Sequence, residues 1–270
     1  MAEAIPDFSD YSMPSLAAER TPDWSGDAID AGILAALLGW WILTRRWRSG
    51  WRWAPLLVAL AWLGFVRQGC LCPVGSLGAV LAAVMQPMVA LPAAAVVLVG
   101  LPLLVALFWG RAFCGGVCPL GALQEVVGMR SRRLPLAAAR WLTPIPFLVL
   151  FATIGVAAIG ERLPCVLDPW VVLFRRTGHL TAWLALALWL VAAVVVWRPF
   201  CRLLCPLGAA LGLASRLAWR PRRIAADRCR ECGACAPTCP VHAITSHRID
   251  PAACLDCGRC QGSCRSGAIV

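Results

Sequence analysis

Cys229-Arg230-Glu231-Cys232-Gly233-Ala234-Cys235-Ala236-Pro237-Thr238-Cys239-Pro240 is the stretch that decides how this chain of 270 residues is read. The spacing C-x2-C-x2-C-x3-C-P is the bacterial run that holds 4Fe–4S cubes. It recurs at a constant offset of 25 residues as Cys254, Cys257, Cys260 and Cys264, and Ala243-Ile244 recurs as Ala268-Ile269. In such a pair, three thiolates on one tight loop hold three irons of a cube, and the fourth cysteine crosses to the other cube. Cluster one is expected on Cys229, Cys232, Cys235 and Cys264, and cluster two on Cys254, Cys257, Cys260 and Cys239. Gly233, Ala234 and Gly258 leave room for backbone N–H groups to approach sulfide. C-x2-C pairs also hold zinc, but a duplicated four-thiol run favours the cubes. Arg265 stands where the second run would usually carry proline, placing extra charge near a cluster, and His242 and His247 read as loop residues rather than ligands. Residues 220–270 are therefore expected to form a small α+β two-cluster module of the bacterial 2[4Fe–4S] ferredoxin type.

Outward from that module the composition changes. The chain is 60% hydrophobic with mean hydropathy +0.73, against roughly 45–50% apolar in soluble domains. The excess gathers in runs between Ala31 and Trp219, which reads as lipid contact rather than as a large soluble core. All 25 basic residues are arginine, and the net charge is +11. The arginines flank apolar runs, as in Arg45-Arg46-Trp47-Arg48 and Arg220-Pro221-Arg222-Arg223, and form no free basic arm. That arrangement excludes nucleic acid as a partner and fits the marking of cytoplasmic loops. Fifteen cysteines in this pattern point to metal ligation, not to a disulfide framework. The first 30 residues carry seven acids and only Arg20, and the first apolar run is followed rather than preceded by arginines. No cleaved secretory signal is expected from that order.

The resulting expectation is a membrane all-α domain over residues 31–219, following an acidic, unstructured periplasmic tail at 1–30. Five transmembrane helices are predicted at Ala31–Thr44, Trp53–Val66, Val89–Gly110, Trp141–Gly160 and Leu180–Trp197, with Val74–Met85 as a re-entrant half-helix. Loops 45–52, 111–140 and 198–223 hold four, five and six arginines. The positive-inside rule then puts the N-terminus in the periplasm and the two-cluster module in the cytoplasm, with the bacterial inner membrane between.

A second repeat lies in this region. Arg111-Ala112-Phe113-Cys114-Gly115-Gly116-Val117-Cys118-Pro119-Leu120-Gly121-Ala122 returns 87 residues later as Arg198-Pro199-Phe200-Cys201-Arg202-Leu203-Leu204-Cys205-Pro206-Leu207-Gly208-Ala209. A fainter copy is Cys70-Leu71-Cys72-Pro73. Proline is favoured at the first position of a helix, so the preceding cysteine is expected to cap a helix N-terminus, where positive partial charge favours thiolate. Cys114, Cys118, Cys201 and Cys205 are candidates for a third iron–sulfur cluster or for redox dithiols. Cys70, Cys72 and Cys165 lie toward the opposite face, as a relay site, a disulfide plus one thiol, or packing. No C-x-x-C-H occurs, which argues against covalent haem.

At Phe113-Cys114 through Gln124-Glu125, at Arg198 through Gly208, and at the twin C-x2-C-x2-C-x3-C runs, the chain resembles the NosR/NapH-type membrane polyferredoxins over roughly residues 54–270. The Cys70-to-Ser76 and Cys165-to-Trp170 segments resemble the nitrous-oxide branch more closely, although only 30 residues precede the first predicted span. The resemblance implies an electron-transfer accessory of nitrous oxide or periplasmic nitrate reductase, passing quinol-derived electrons outward. The expectation is thus an electron-transfer protein or oxidoreductase subunit that receives electrons from quinol or a cytoplasmic ferredoxin-type donor. It would pass them to a periplasmic or membrane-anchored redox partner, with membrane lipid around it and quinone as a further cofactor. The competing reading is a membrane factor that reduces or senses copper during assembly of a metalloenzyme.

Overall fold

Apolar runs punctuated by Gly and Pro give a set of short helices rather than a few long ones. The computed structural model describes residues 24–45, 53–67, 73–85, 93–129, 131–159, 169–176 and 180–270. Helix α1 (Trp24–Thr44) is followed by α2 (Trp53–Ala59), which runs directly into a π-helical segment, Leu60–Val66. Then come α3 (Pro73–Met85), α4 (Ala93–Trp109), α5 (Ala112–Gly116), α6 (Pro119–Val127), α7 (Leu136–Leu142) and α8 (Ile145–Ile159). Beyond these lie α9 (Pro169–Arg175), α10 (Leu180–Val195), α11 (Pro199–Leu203) and α12 (Pro206–Ser215). The C-terminal head adds β1 (Ile244–Thr245), β2 (Arg248–Ile249) and α13 (Arg259–Ser263). The strands pair antiparallel with Ile244 opposite Ile249, and a single bridge joins Ile224 to Ile269.

One apolar core joins the helices. Leu34, Leu38 and Trp41 of α1 meet Leu98, Val99 and Ala106 of α4, Phe113 of α5, Leu120 of α6, and Leu207 and Leu211 of α12. Helix α12 packs on α4 and α8, and α3 packs on the same two helices. The head has its own small core, in which Ala243, Ile244 and Ile269 pack with Cys239 and Cys260. So small an apolar cluster is consistent with a fold that depends on its metal ligands for stability.

The five-span architecture is overturned: among the described residues no helix is long and apolar enough to cross a membrane. Helices α4, α10 and α8 have 17, 16 and 15 residues, about 22–26 Å at 1.5 Å per residue, against a hydrocarbon core of about 30 Å. Apolar content had set the expected lengths, and the breaks shorten them. Trp141–Gly160 divides between the end of α7 and the whole of α8, with Thr143-Pro144 at the break. Trp53–Val66 changes from α to π at Leu60. Helix α1 has 21 residues, but it starts inside the expected tail and takes in Asp27 and Asp30. Asp30 is buried, accepting hydrogen bonds from Arg67 Nε at 2.7 Å and Trp62 Nε1 at 3.2 Å, so this acid belongs to the packed body. The α+β character expected of the head is also faint, with two strands of two residues each.

Large apolar side chains remain exposed in helical register. They include Leu148, Phe151 and Ile159 on α8, and Leu184, Leu188, Val191 and Val195 on α10.

Candidate iron–sulfur sites

The 25-residue repeat is also a backbone repeat. Glu231 and Asp256 both take positive φ (52° and 53°), as do Gly233 and Gly258 (69° and 71°) and His242 and Gly267 (53° and 65°). Left-handed residues within such loops turn successive N–H groups toward a common centre, which suits an anionic cluster. Cys239, Cys254, Cys257 and Cys260, the expected cluster-two set, line one cavity together with Arg222 and Leu255. Ala243 N donates to Cys239 Sγ at 3.3 Å. Cys235 lies within electrostatic reach of Cys229 and Cys264, bringing the two halves together at the expected cluster-one set. Cys232 is exposed. His242 Nε2 pairs with the Leu134 carbonyl at 2.8 Å, in keeping with a loop role.

The four C-x3-C cysteines also converge. Cys118 lies within electrostatic reach of Cys114, Cys201 and Cys205. Cys118 and Cys205 sit at the N-caps of α6 and α12, each followed by proline, and Cys205 Sγ accepts from Gly208 N at 3.3 Å. Gln124 ties the two repeats together, donating from Nε2 to Cys201 Sγ at 3.2 Å while its Oε1 accepts from Phe200 N at 3.1 Å. Burial dominates, pushing Cys118 and Cys205 well up and Cys201 up to about 11. A helix terminus acts over one turn, whereas desolvation opposes the charge from every side. A bound metal would displace the protons of these thiols and favour the thiolates. Among the described residues no three His, Cys, Asp or Glu side chains converge as a single ion requires. A cube takes its thiolates at separate corners rather than on one ion, so both groups of cysteines have the donor type and number that a 4Fe–4S cluster would need.

The charged residues around these thiols were read from sequence as loop markers, yet several are internal. Arg198 is 1% exposed. Its Nε donates to Glu125 Oε2 at 2.9 Å, and its Nη2 reaches the Gly115 carbonyl at 3.4 Å. Glu125 also accepts from Trp197 Nε1 at 2.7 Å and from Arg259 Nη2 at 2.8 Å. Burial opposes its charge, but Arg198 and Arg259 outweigh that and hold the carboxyl below its usual range. Across the head, Asp256 accepts from Arg222 Nε at 2.5 Å and Trp41 Nε1 at 3.2 Å. Against the burial that works the other way, Asp256 pushes the Arg222 guanidinium pKa up. The one sequence signal for Arg198 was its place in the 87-residue repeat; for Glu125 it was the resemblance.

Head and helical body meet at the cluster-two segments. Arg259 lies between Cys257 and Cys260. Arg202 Nη1 donates to the carbonyl of Pro240, next to Cys239, at 3.2 Å. Arg111 Nη1 donates to the Ala252 carbonyl at 3.2 Å. Gly115 packs so tightly on the Cys254–Cys257 loop that a Cβ there would stand 2.4 Å from the Leu255 carbonyl oxygen. Cys70, Cys72 and Cys165 lie outside the described residues.

Residues 91–137 and 179–225 match a family described as a 4Fe–4S binding domain, one match over each C-x3-C-P repeat. Residues 223–245 match a second family of the same description. Regulatory protein NosR of Pseudomonas aeruginosa is 35% identical over 157 residues, 51% of this chain and 21% of NosR. Protein NirI of Paracoccus denitrificans is 34% identical over 51% of this chain and 22% of NirI. The methylamine utilization ferredoxin-type protein MauN of Paracoccus denitrificans is 33% identical over 55% of this chain and 56% of MauN. The chain thus spans between a fifth and somewhat over half of these relatives. No solved structure matches it. Grouped thiols, 4Fe–4S binding domain matches over both repeats and the head, and these identities make the chain an iron–sulfur protein similar to NosR and NirI.

Proposed function

We propose that the chain is a three-centre electron relay in which cluster one is the outer port, cluster two the junction, and a cube on Cys114, Cys118, Cys201 and Cys205 the inner centre. The observation that supports this order is where the head touches the body. Arg259, Pro240, Ala252 and the Leu255–Asp256 backbone all flank cluster-two ligands, whereas the cluster-one loop carries exposed Cys232, Arg230 and Glu231. Iron–sulfur cubes supply one-electron chemistry. The chain's own residues exclude water, fix spacing and place charge. Gly115 lets the two centres approach closely, and Glu125 joins Arg198 at the inner centre to Arg259 at the junction.

The donor in this proposal is quinol or a cytoplasmic ferredoxin-type protein, and the acceptor is a partner in nitrous oxide or nitrate respiration, a reading supported by likeness to NosR and NirI. The proposed address is the bacterial inner membrane, with lipid against the exposed apolar faces of α8 and α10. Adding a quinol analogue to anaerobic full-length protein tests the relay. Bleaching of the cluster absorbance is the expected result. Reduction of added copper(II) at the thiols with no cluster bleaching would replace the relay with the copper-handling reading.

A further inference from the structure

The two C-x3-C repeats place matching arginines around one centre but give them different partners. Arg198 reaches across to the first repeat, where a Cβ on Gly121 would stand 3.1 Å from its Nη1. Arg111 reaches across to the second, where a Cβ on Gly208 would stand 3.0 Å from its Nη2. Arg198 is held by the carboxylate of Glu125. The 87-residue offset that maps Arg111 onto Arg198 maps Glu125 onto Gly212, so the second repeat lacks that carboxylate. Among the described residues Arg111 finds only a neutral carbonyl, that of Ala252 at 3.2 Å, and its buried Nε has no hydrogen-bond partner.

We infer that Arg111 is the potential-setting residue of the inner centre: a guanidinium beside Cys201 and Cys205, with no carboxylate on it among the described residues, that favours the more negative, reduced state. This inference rests on the proposed third cube. Arg111 is within electrostatic reach of both thiols. Arg198 shares Glu125 with Arg259, and Arg202 stands by Cys239 of cluster two. A cation in a site of low dielectric stabilises an added electron more than water would. Its charge therefore raises the potential of the inner centre relative to a site in which both arginines are neutralised. One electron leaves cluster two, which is oxidised, and enters the inner centre, which is reduced. No bond forms or breaks.

The test is a redox titration of the full-length, three-cube protein followed by electron paramagnetic resonance. Arg111→Gln is expected to move the inner-centre potential negative. Gly212→Glu, which restores the carboxylate of the first repeat, is expected to move it the same way while keeping Arg111. A Cβ at 212 meets the Ala252 carbonyl at 3.3 Å, and Arg111 Nη1 lies 3.8 Å away, so the new side chain needs only a small adjustment. Arg111→Lys, which keeps the charge, is expected to hold the potential close to native. An unmoved inner-centre potential in both Arg111→Gln and Gly212→Glu overturns the inference. Native protein with no third signal overturns the three-centre reading instead, so the two failures are distinguishable.

Discussion

At the residue scale, Glu125 carries the largest share of the account. It is a buried carboxylate with two arginine partners, and removing one member of a buried pair strands the other. Glu125→Ala is expected to destabilise the fold by about 3–5 kcal/mol, read from thermal or denaturant unfolding, and Glu125→Gln by less because it keeps the shape and one acceptor. The pH dependence follows from the depressed carboxyl. Its stabilising contribution is fully present above the unfolded-state value of about 4.3 and is lost as the pH falls through the lower folded-state value. The melting temperature of the native chain should therefore fall more steeply below about pH 4 than that of Glu125→Gln. Parallel curves would remove Glu125 from the ledger of acid stability. Such residues were poorly legible in the sequence. Arginines at the ends of apolar runs look alike whether they face water or, like Arg198 and Arg222, lie inside the protein. Only contacts across 73 residues, from Arg198 to Glu125, and across 34, from Arg222 to Asp256, tell them apart. The cysteine spacing, by contrast, is local chemistry: Cys239, Cys254, Cys257 and Cys260 line one cavity, and Cys235 lies near Cys229 and Cys264.

At the scale of elements, helix starts were more legible than helix lengths. Pro119 and Pro206 begin α6 and α12 as their fixed φ dictates. Lengths failed because a run of Ala, Leu and Val says how apolar a segment is, not where its backbone turns; Thr143-Pro144 and the left-handed Arg198 decide that. The short α5 shows what a glycine pair is for. A Cβ on Gly116 would lie 2.0 Å from the Trp41 ring, and one on Gly115 would meet backbone of the Cys254–Cys257 loop. Gly115→Ala is expected to cost about 1–3 kcal/mol by overpacking and to slow electron exchange between cluster two and the inner centre, while iron in the head stays at its native level. Gly155 in α8 has nothing within 4 Å of its would-be Cβ, so Gly155→Ala should stabilise by up to about 1 kcal/mol. Freeze-quench spectroscopy and denaturant melts separate the two outcomes. Equal exchange rates in Gly115→Ala and native protein would count against close approach as the coupling device.

At the scale of the whole molecule, two successive repeats build the proposed electron path. The 25-residue repeat makes the head, the 87-residue repeat makes the proposed inner centre, and the asymmetries between copies supply the connections: Glu125 where the second copy has Gly212, and Arg259 in the loop that faces the body. Membrane association belongs at this scale too. The apolar faces of α8 and α10 predict that the chain sediments with membranes and is released by detergent but not by high salt; recovery in the soluble fraction would contradict the proposed address. The central claim is that Cys114, Cys118, Cys201 and Cys205 together hold a cube. Iron and sulfide analysis of anaerobically purified protein, native against Cys118→Ser/Cys205→Ser, tests it most directly. Three cubes of four predict about twelve irons per native chain and about eight in the double variant, with the head signals intact. About eight irons in both would show that the four converging thiols carry no cluster.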